Sequence, residues 1–285
     1  MHPAAILACS LCLILVGIPS LAAEDSPAAF RGGPFVLIGG GADQDTIARR
    51  ILHLAGADKA RLVIVPSASG TPEASGKAYQ AYFKQLGARD VQVVIPVDEP
   101  TASQAAAFHQ ATGFFFSGGD QSRILARLGK PAWLGALQGA WRRGAVVAGT
   151  SAGAMVWGDH AILGDGPEAA SATVGAGFGL LPDIVVDTHF SERGRFGRLV
   201  DATVLHAPAL GIGIDPGTAL ILTSDGKAEV IGKGTVTLAR PMGRATHSRP
   251  LSVPDLRARI LAPGEHADVL EDPAFEGDRT QPLSP

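Results

Sequence analysis

Short apolar runs alternate with longer amphipathic ones along this chain. The apolar runs cover 35–39, 61–66, 91–97, 113–116, 145–148, 184–187 and 210–214. They are continuous rather than alternating, the pattern of strands covered on both faces. Between them, segments 43–54, 72–86, 102–109, 121–128, 132–142 and 192–205 carry helical spacing. Strand–helix–strand repetition of this kind predicts an α/β fold built on a doubly wound, mostly parallel sheet. Three later runs, 219–223, 228–231 and 235–239, are separated by glycine or charged turns. They predict a small antiparallel C-terminal extension on the sheet edge. No internal repeat or linker interrupts the pattern, so 24–285 reads as one domain. Its polar end, about 268–285, is expected to be loosely ordered.

Glycines and polar residues collect just after the strands. They form Gly39-Gly40-Gly41, Ser67-Ala68-Ser69-Gly70, Ser117-Gly118-Gly119-Asp120-Gln121, Gly149–Gly153 and Asp187-Thr188-His189. In open α/β sheets the carboxyl ends of the strands form the binding crevice, so five such ends point to one rim. Gly149-Thr150-Ser151-Ala152-Gly153 follows a strand and precedes a helical pattern, the context of a nucleophile elbow. A helix N-cap would use a serine there equally well. Nucleophilic serine needs a base, and His189 closes a strand on the same rim. A hydrogen-bonded structural histidine is the alternative. Next come Arg193, Arg195 and Arg198. Guanidinium forks there suit a carboxylate-bearing substrate, or else a solvated helix face paired with Glu192 or Asp201.

The N-terminus changes the picture. An apolar stretch from Ala4 to Val16, then Gly17, Pro19 and small residues up to Ala23, matches a secretory signal peptide over 1–23. Export to the periplasm or the medium is the expectation, with no membrane association after cleavage. Both cysteines, Cys9 and Cys12, fall inside that segment, leaving no disulfide or thiol chemistry to the mature chain. The chain has 285 residues and a formal net charge of −3 without a basic stripe, which argues against a nucleic-acid partner.

Four of these segments together resemble the cyanophycinase and peptidase E family of serine exopeptidases. They are Gly39–Gly41, Ser117–Gln121, Gly149–Ala154, and Asp187-Thr188-His189-Phe190 with Arg193, Arg195, Arg198 and Leu199. The resemblance implies a fold like class I glutamine amidotransferases, with Ser151 as nucleophile and His189 as base. It also implies an oxyanion hole from the backbone amides of Gly119 and Ala152. Asp120, Gln121, Asp187, Thr188, Arg193, Arg195 and Arg198 would bind substrate. The implied substrate is a β-aspartyl peptide, cyanophycin or a smaller isoaspartyl peptide, with no cofactor or metal. A homodimer along a sheet edge is compatible with the family. Two positions depart from it. Where the family carries Gly-Ile-Gly-Ile-Asp-Glu, with the glutamate as third triad member, this chain has Gly211-Ile212-Gly213-Ile214-Asp215-Pro216. Asp215 is then the nearest acid for the triad, with a turn-capping role equally open, and Glu192 is another option. Thr188 stands where the family often has glutamine. Two other readings remain. One is an esterase using Ser151, Asp215 and a late His247 or His266. The other is a binding protein whose triad has decayed at Pro216.

Overall fold

The computed structural model describes residues 30–41, 44–206, 210–242 and 251–270. In its first half, each strand is followed by helix. The order is β1 (Phe35–Ile38), α1 (Asp45–Leu54), β2 (Arg61–Val65), α2 (Pro72–Gln85), β3 (Asp90–Val93), α3 (Ala102–Gln110) and β4 (Gly113–Phe116). Then come α4 (Gln121–Leu128), α5 (Pro131–Arg142) and β5 (Val146–Thr150). The second half contains the hairpin β6 (His160–Asp165) and β7 (Ala172–Ala176), then β8 (Ile184–Thr188), α6 (Phe196–Leu205) and β9 (Leu210–Ile214). It ends with β10 (Thr218–Leu222), β11 (Lys227–Gly232), β12 (Val236–Met242), β13 (Asp255–Leu261) and β14 (His266–Asp268).

The main sheet has eight strands in the order β14-β11-β10-β1-β5-β4-β2-β3. β1 to β5 pair in parallel, and β10, β11 and β14 extend the β1 edge in antiparallel. Side chains of β1 show why its sequence carries no polar position. Phe35 and Leu37 enter one apolar layer with Phe108, Ile124, Trp133 and Trp141 of α3, α4 and α5. Val36 and Ile38 enter the other with Ile47 and Ile51 of α1 and Phe83 of α2. Period-two alternation between two covered faces turns a half-buried pattern into a continuous apolar run.

Two expectations need correction. β8 and β9 pair in parallel, but in a second sheet ordered β13-β12-β9-β8. β12 leaves the predicted edge extension and joins that sheet as well. Its inner face, including Val186, Ile212 and Leu238, merges with the layer of Phe35 and Trp141. Its outer face is covered by Leu199 and Ala202 of α6 and Ile162 of the β6–β7 hairpin. Strands buried on both faces look alike in either sheet, so periodicity could not assign them. The predicted helix 192–205 is divided. A single 3₁₀ turn covers Ser191–Arg193, Gly194 stands at φ 60°, and α6 starts at Phe196. Two further strands, β13 and β14, lie where the apolar pattern predicts none. Segment 1–23, both cysteines and the tail beyond 270 lie outside the described residues. Among the described residues, no helix is long and apolar enough to cross a membrane.

Candidate active site

The carboxyl end of β5 leads directly into a 3₁₀ turn over Ser151–Ala154, with Ser151 at φ 52°. This left-handed backbone is uncommon outside glycine and marks a forced turn. The flanking glycines permit it. A Cβ on Gly149 would lie 2.0 Å from the Gly153 carbonyl oxygen, so the chain could not fold back this tightly. Gly118 approaches from the end of β4, where an added Cβ would be 3.3 Å from Ser151 Cβ. The backbone of Gly118 therefore borders the serine, Gly119 packs against the backbone of Ala68, and Ala152 follows the serine in the turn. Early N–H groups of a helical turn have no partner within the turn, which leaves Ala152 N–H available to an oxyanion.

His189 follows β8 and is also left-handed, at φ 49°. Its own N–H donates to the Gly39 carbonyl at 2.9 Å, tying the β8 end to the β1 end. The ring spans two partners. Nε2 is 3.1 Å from Ser151 Oγ, and Nδ1 is 3.0 Å from Glu192 Oε1. Donation from Nδ1–H to the carboxylate leaves the Nε2 lone pair facing the serine hydroxyl, the arrangement of a Ser-His-acid triad. Gly40 seats the ring from below, since a Cβ there would be 2.4 Å from His189 Nε2 and Gly40 has φ 94°. Gly40→Ala is expected to displace the imidazole and lower turnover by at least about tenfold, as misplacement near 1 Å can cost about a hundredfold. Comparing kcat with the melting temperature of the variant checks this. A normal kcat would show that the ring has room to move.

Asp215 is elsewhere. Its Oδ1 accepts the Ser191 N–H at 2.9 Å, and its Oδ2 accepts the Thr235 N–H at 3.0 Å and hydroxyl at 2.8 Å. The expectation that Asp215 orients the histidine is corrected on this geometry: its carboxylate is used by three other donors, and Glu192 reaches Nδ1. Burial would raise the Asp215 pKa, but the hydrogen bonds from Ser191 and Thr235 prevail and hold it below the ordinary carboxylate value. The stabilisation is therefore present in full above the unfolded pKa near 3.9 and is lost as pH falls through the lower folded value. Asp215→Asn should accordingly flatten the acid end of the stability–pH curve, measured by denaturant unfolding below about pH 4. An unchanged slope would contradict this linkage.

The residues expected to contact substrate divide into two groups. Asp187 is fully buried and receives Arg198 Nε at 2.9 Å and Arg198 Nη2 at 2.5 Å, a bidentate pair, plus the Thr188 N–H at 2.8 Å. Arg198 Nη1 continues to Asp165 Oδ1 at 2.6 Å. Burial would depress the Arg198 pKa, but these two carboxylates outweigh it and raise it. Thr188 is fully buried with its hydroxyl toward Met155 Sδ at 3.1 Å. Arg195 donates to the Thr188 carbonyl at 2.6 Å, and burial lowers its pKa against the pull of Asp187. Asp187, Thr188 and Arg198 are thus buried and partnered within the protein, before and after His189 in the chain. Gln121 donates to the Ile162 carbonyl at 2.7 Å and fastens α4 to the β6–β7 hairpin. Asp120 caps α4 through the Ser122 N–H at 2.9 Å, and that serine's hydroxyl hydrogen bond is the main cause of its lowered pKa. Asp120 and Arg193 remain about half exposed, and Arg193 Nε lies 3.5 Å from Glu192 Oε1. Of the late histidines, His266 pairs with Glu229 across β14 and β11, at the outer edge of the main sheet. His247 lies outside the described residues. Among the described residues, no cluster of three or more His, Cys, Asp or Glu is arranged to hold a metal ion.

A serine after β5 and a histidine after β8, at hydrogen-bond distance, have a counterpart in known proteins. Residues 35–231 match the family described as peptidase family S51. The chain belongs to that family. It is a serine peptidase, and several curated relatives are cyanophycinases. The one from Trichormus variabilis is 38% identical over 250 residues, covering 81% of this chain and 84% of the relative. The one from Synechococcus elongatus is 36% identical over 245 residues, covering 79% and 76%. Among solved structures, a peptidase from an acI-B1 Actinobacterium superposes with a TM-score of 0.64 at 20% identity. That superposition covers 85% of this peptidase and 98% of the other chain, and it supports the fold.

Proposed function

We propose that this peptidase is a secreted serine exopeptidase that hydrolyses β-aspartyl bonds, with cyanophycin as its substrate and β-Asp-Arg dipeptides as products. The observation that carries the proposal is the 3.1 Å contact between Ser151 Oγ and His189 Nε2, in a chain 38% identical to a cyanophycinase. Ser151 Oγ attacks the β-carbonyl carbon while its proton passes to His189 Nε2. The backbone amides of Gly119 and Ala152 receive the oxyanion, which as preorganised dipoles they stabilise without reorganisation. Collapse of the tetrahedral intermediate breaks the C–N bond, and the imidazolium gives its proton to the leaving amine. Water, deprotonated by His189, then hydrolyses the acyl-enzyme and regenerates the serine. Asp120 and Arg193, both about half exposed, are the candidate contacts for charged substrate groups.

The deciding experiment incubates the mature chain with purified cyanophycin and measures dipeptide release by mass spectrometry. β-Asp-Arg release supports the proposal. Hydrolysis of short isoaspartyl peptides alone would retain the reaction and replace the substrate. No hydrolysis of either would overturn the β-aspartyl assignment. Mass analysis of the protein recovered from outside expressing cells tests export separately, with a new N-terminus near residue 24 expected.

A further inference from the structure

We propose that Glu192 is the positioning acid of this site and that Asp215 acts one step further out, clamping the turn that carries Glu192. The inference rests on Ser151 and His189 acting as nucleophile and base. Glu192 belongs to the single 3₁₀ turn Ser191–Arg193, immediately after His189, and its Oε1 is 3.0 Å from His189 Nδ1. The acid and the base are thus three residues apart on one loop. Such a contact needs no distant strand to supply the carboxylate. It depends instead on the orientation of one short turn.

That orientation is fixed at both ends. Asp215 Oδ1 holds the N–H of Ser191, the first residue of the turn, while its Oδ2 is anchored to Thr235 immediately before β12. At the far end, Gly194 at φ 60° reverses the chain and returns its N–H to the Ser191 carbonyl at 3.1 Å. Phe190 and Arg195 close the loop through a backbone bond of 3.1 Å. A carboxylate that is 8% exposed and receives three hydrogen bonds is suited to holding backbone, whereas the half-exposed Glu192 is free to follow the imidazole. Arg193 Nε faces the same Oε1 at 3.5 Å and offers that oxygen a second positive partner. Pro216, which has no acid to offer, therefore leaves the triad geometry complete.

The test uses the intact chain and a fluorophosphonate probe, with the rate of Ser151 labelling followed by mass spectrometry. This readout reports the nucleophile without depending on the substrate. Glu192→Ala and Glu192→Gln should both slow labelling by about a hundredfold or more, given the roughly ten-thousandfold cost known for a buried triad acid. Their melting temperatures should stay close to that of the parent chain. Added formate should restore labelling of Glu192→Ala, because a small carboxylate can occupy the vacated place beside Nδ1. Asp215→Asn should also slow labelling, without rescue by formate. Labelling of Glu192→Ala at the parent rate, failure of formate to rescue it, or formate rescue of Asp215→Asn instead would each overturn the proposal. Absence of labelling in the parent chain would instead remove the nucleophile reading beneath it.

Discussion

Ser151→Ala is expected to reduce hydrolysis of a β-aspartyl peptide by about a millionfold, the loss typical when a serine nucleophile is removed from a complete triad. The expectation follows from how little else Ser151 does. Its hydroxyl is placed 3.1 Å from His189 Nε2, and the turn itself is formed by the backbone of Gly149 and Gly153. Alanine keeps the same backbone requirement at φ 52°, so the fold should persist with an unchanged melting temperature. Residual turnover of about a thousandfold over water would come from the amides of Gly119 and Ala152 and from substrate binding. Turnover of the variant within tenfold of the parent would mean that another group attacks the carbonyl.

The second large effect concerns stability. Asp187→Ala is expected to destabilise the fold by about 3–5 kcal/mol, because it leaves the Arg198 guanidinium buried against a single remaining carboxylate, Asp165. A shift of that size lowers the melting temperature of a chain this long by roughly 10 °C. The double change Asp187→Leu with Arg198→Met should lose much less, since replacing both members of a buried pair by apolar groups is often neutral. Activity should fall in the single variant as well, because Asp187 also receives the Thr188 N–H one residue before His189. A melting temperature unchanged in Asp187→Ala would show that the pair carries no such weight.

The same pair shows what can and cannot be read from the amino-acid order. The strand β4, the strand β9 and the helix α4 stand where their apolar spacing placed them, because local period alone sets those boundaries. Ser151 and His189 could be brought to one rim because each ends an apolar run in a parallel architecture. Depth was not legible. Arg198, in the first turn of a helix amid other arginines, has the local look of a solvated residue, yet it is buried against Asp187 of strand β8. The acid at the histidine was ambiguous for a related reason. Glu192 is three residues from His189, a spacing that reads as a surface ion pair, and only the 3₁₀ turn aims it at Nδ1. The β6–β7 hairpin is absent from the sequence-based expectations, because Gly164 and Gly175 break its alternation and a bulge shifts its register.

The left-handed backbone at Ser151 and His189 has a consequence for the history and the engineering of this chain. Non-glycine residues in that region cost about 1–3 kcal/mol each, which the surrounding packing must absorb. Glycine at either position would relax the strain while removing a group that the proposed mechanism needs, so Ser151→Gly should melt higher than the parent and hydrolyse nothing. A library sorted for heat resistance alone would therefore drift toward glycine at 151 and 189 and discard its own chemistry. Screens on this scaffold need selection for turnover at every round.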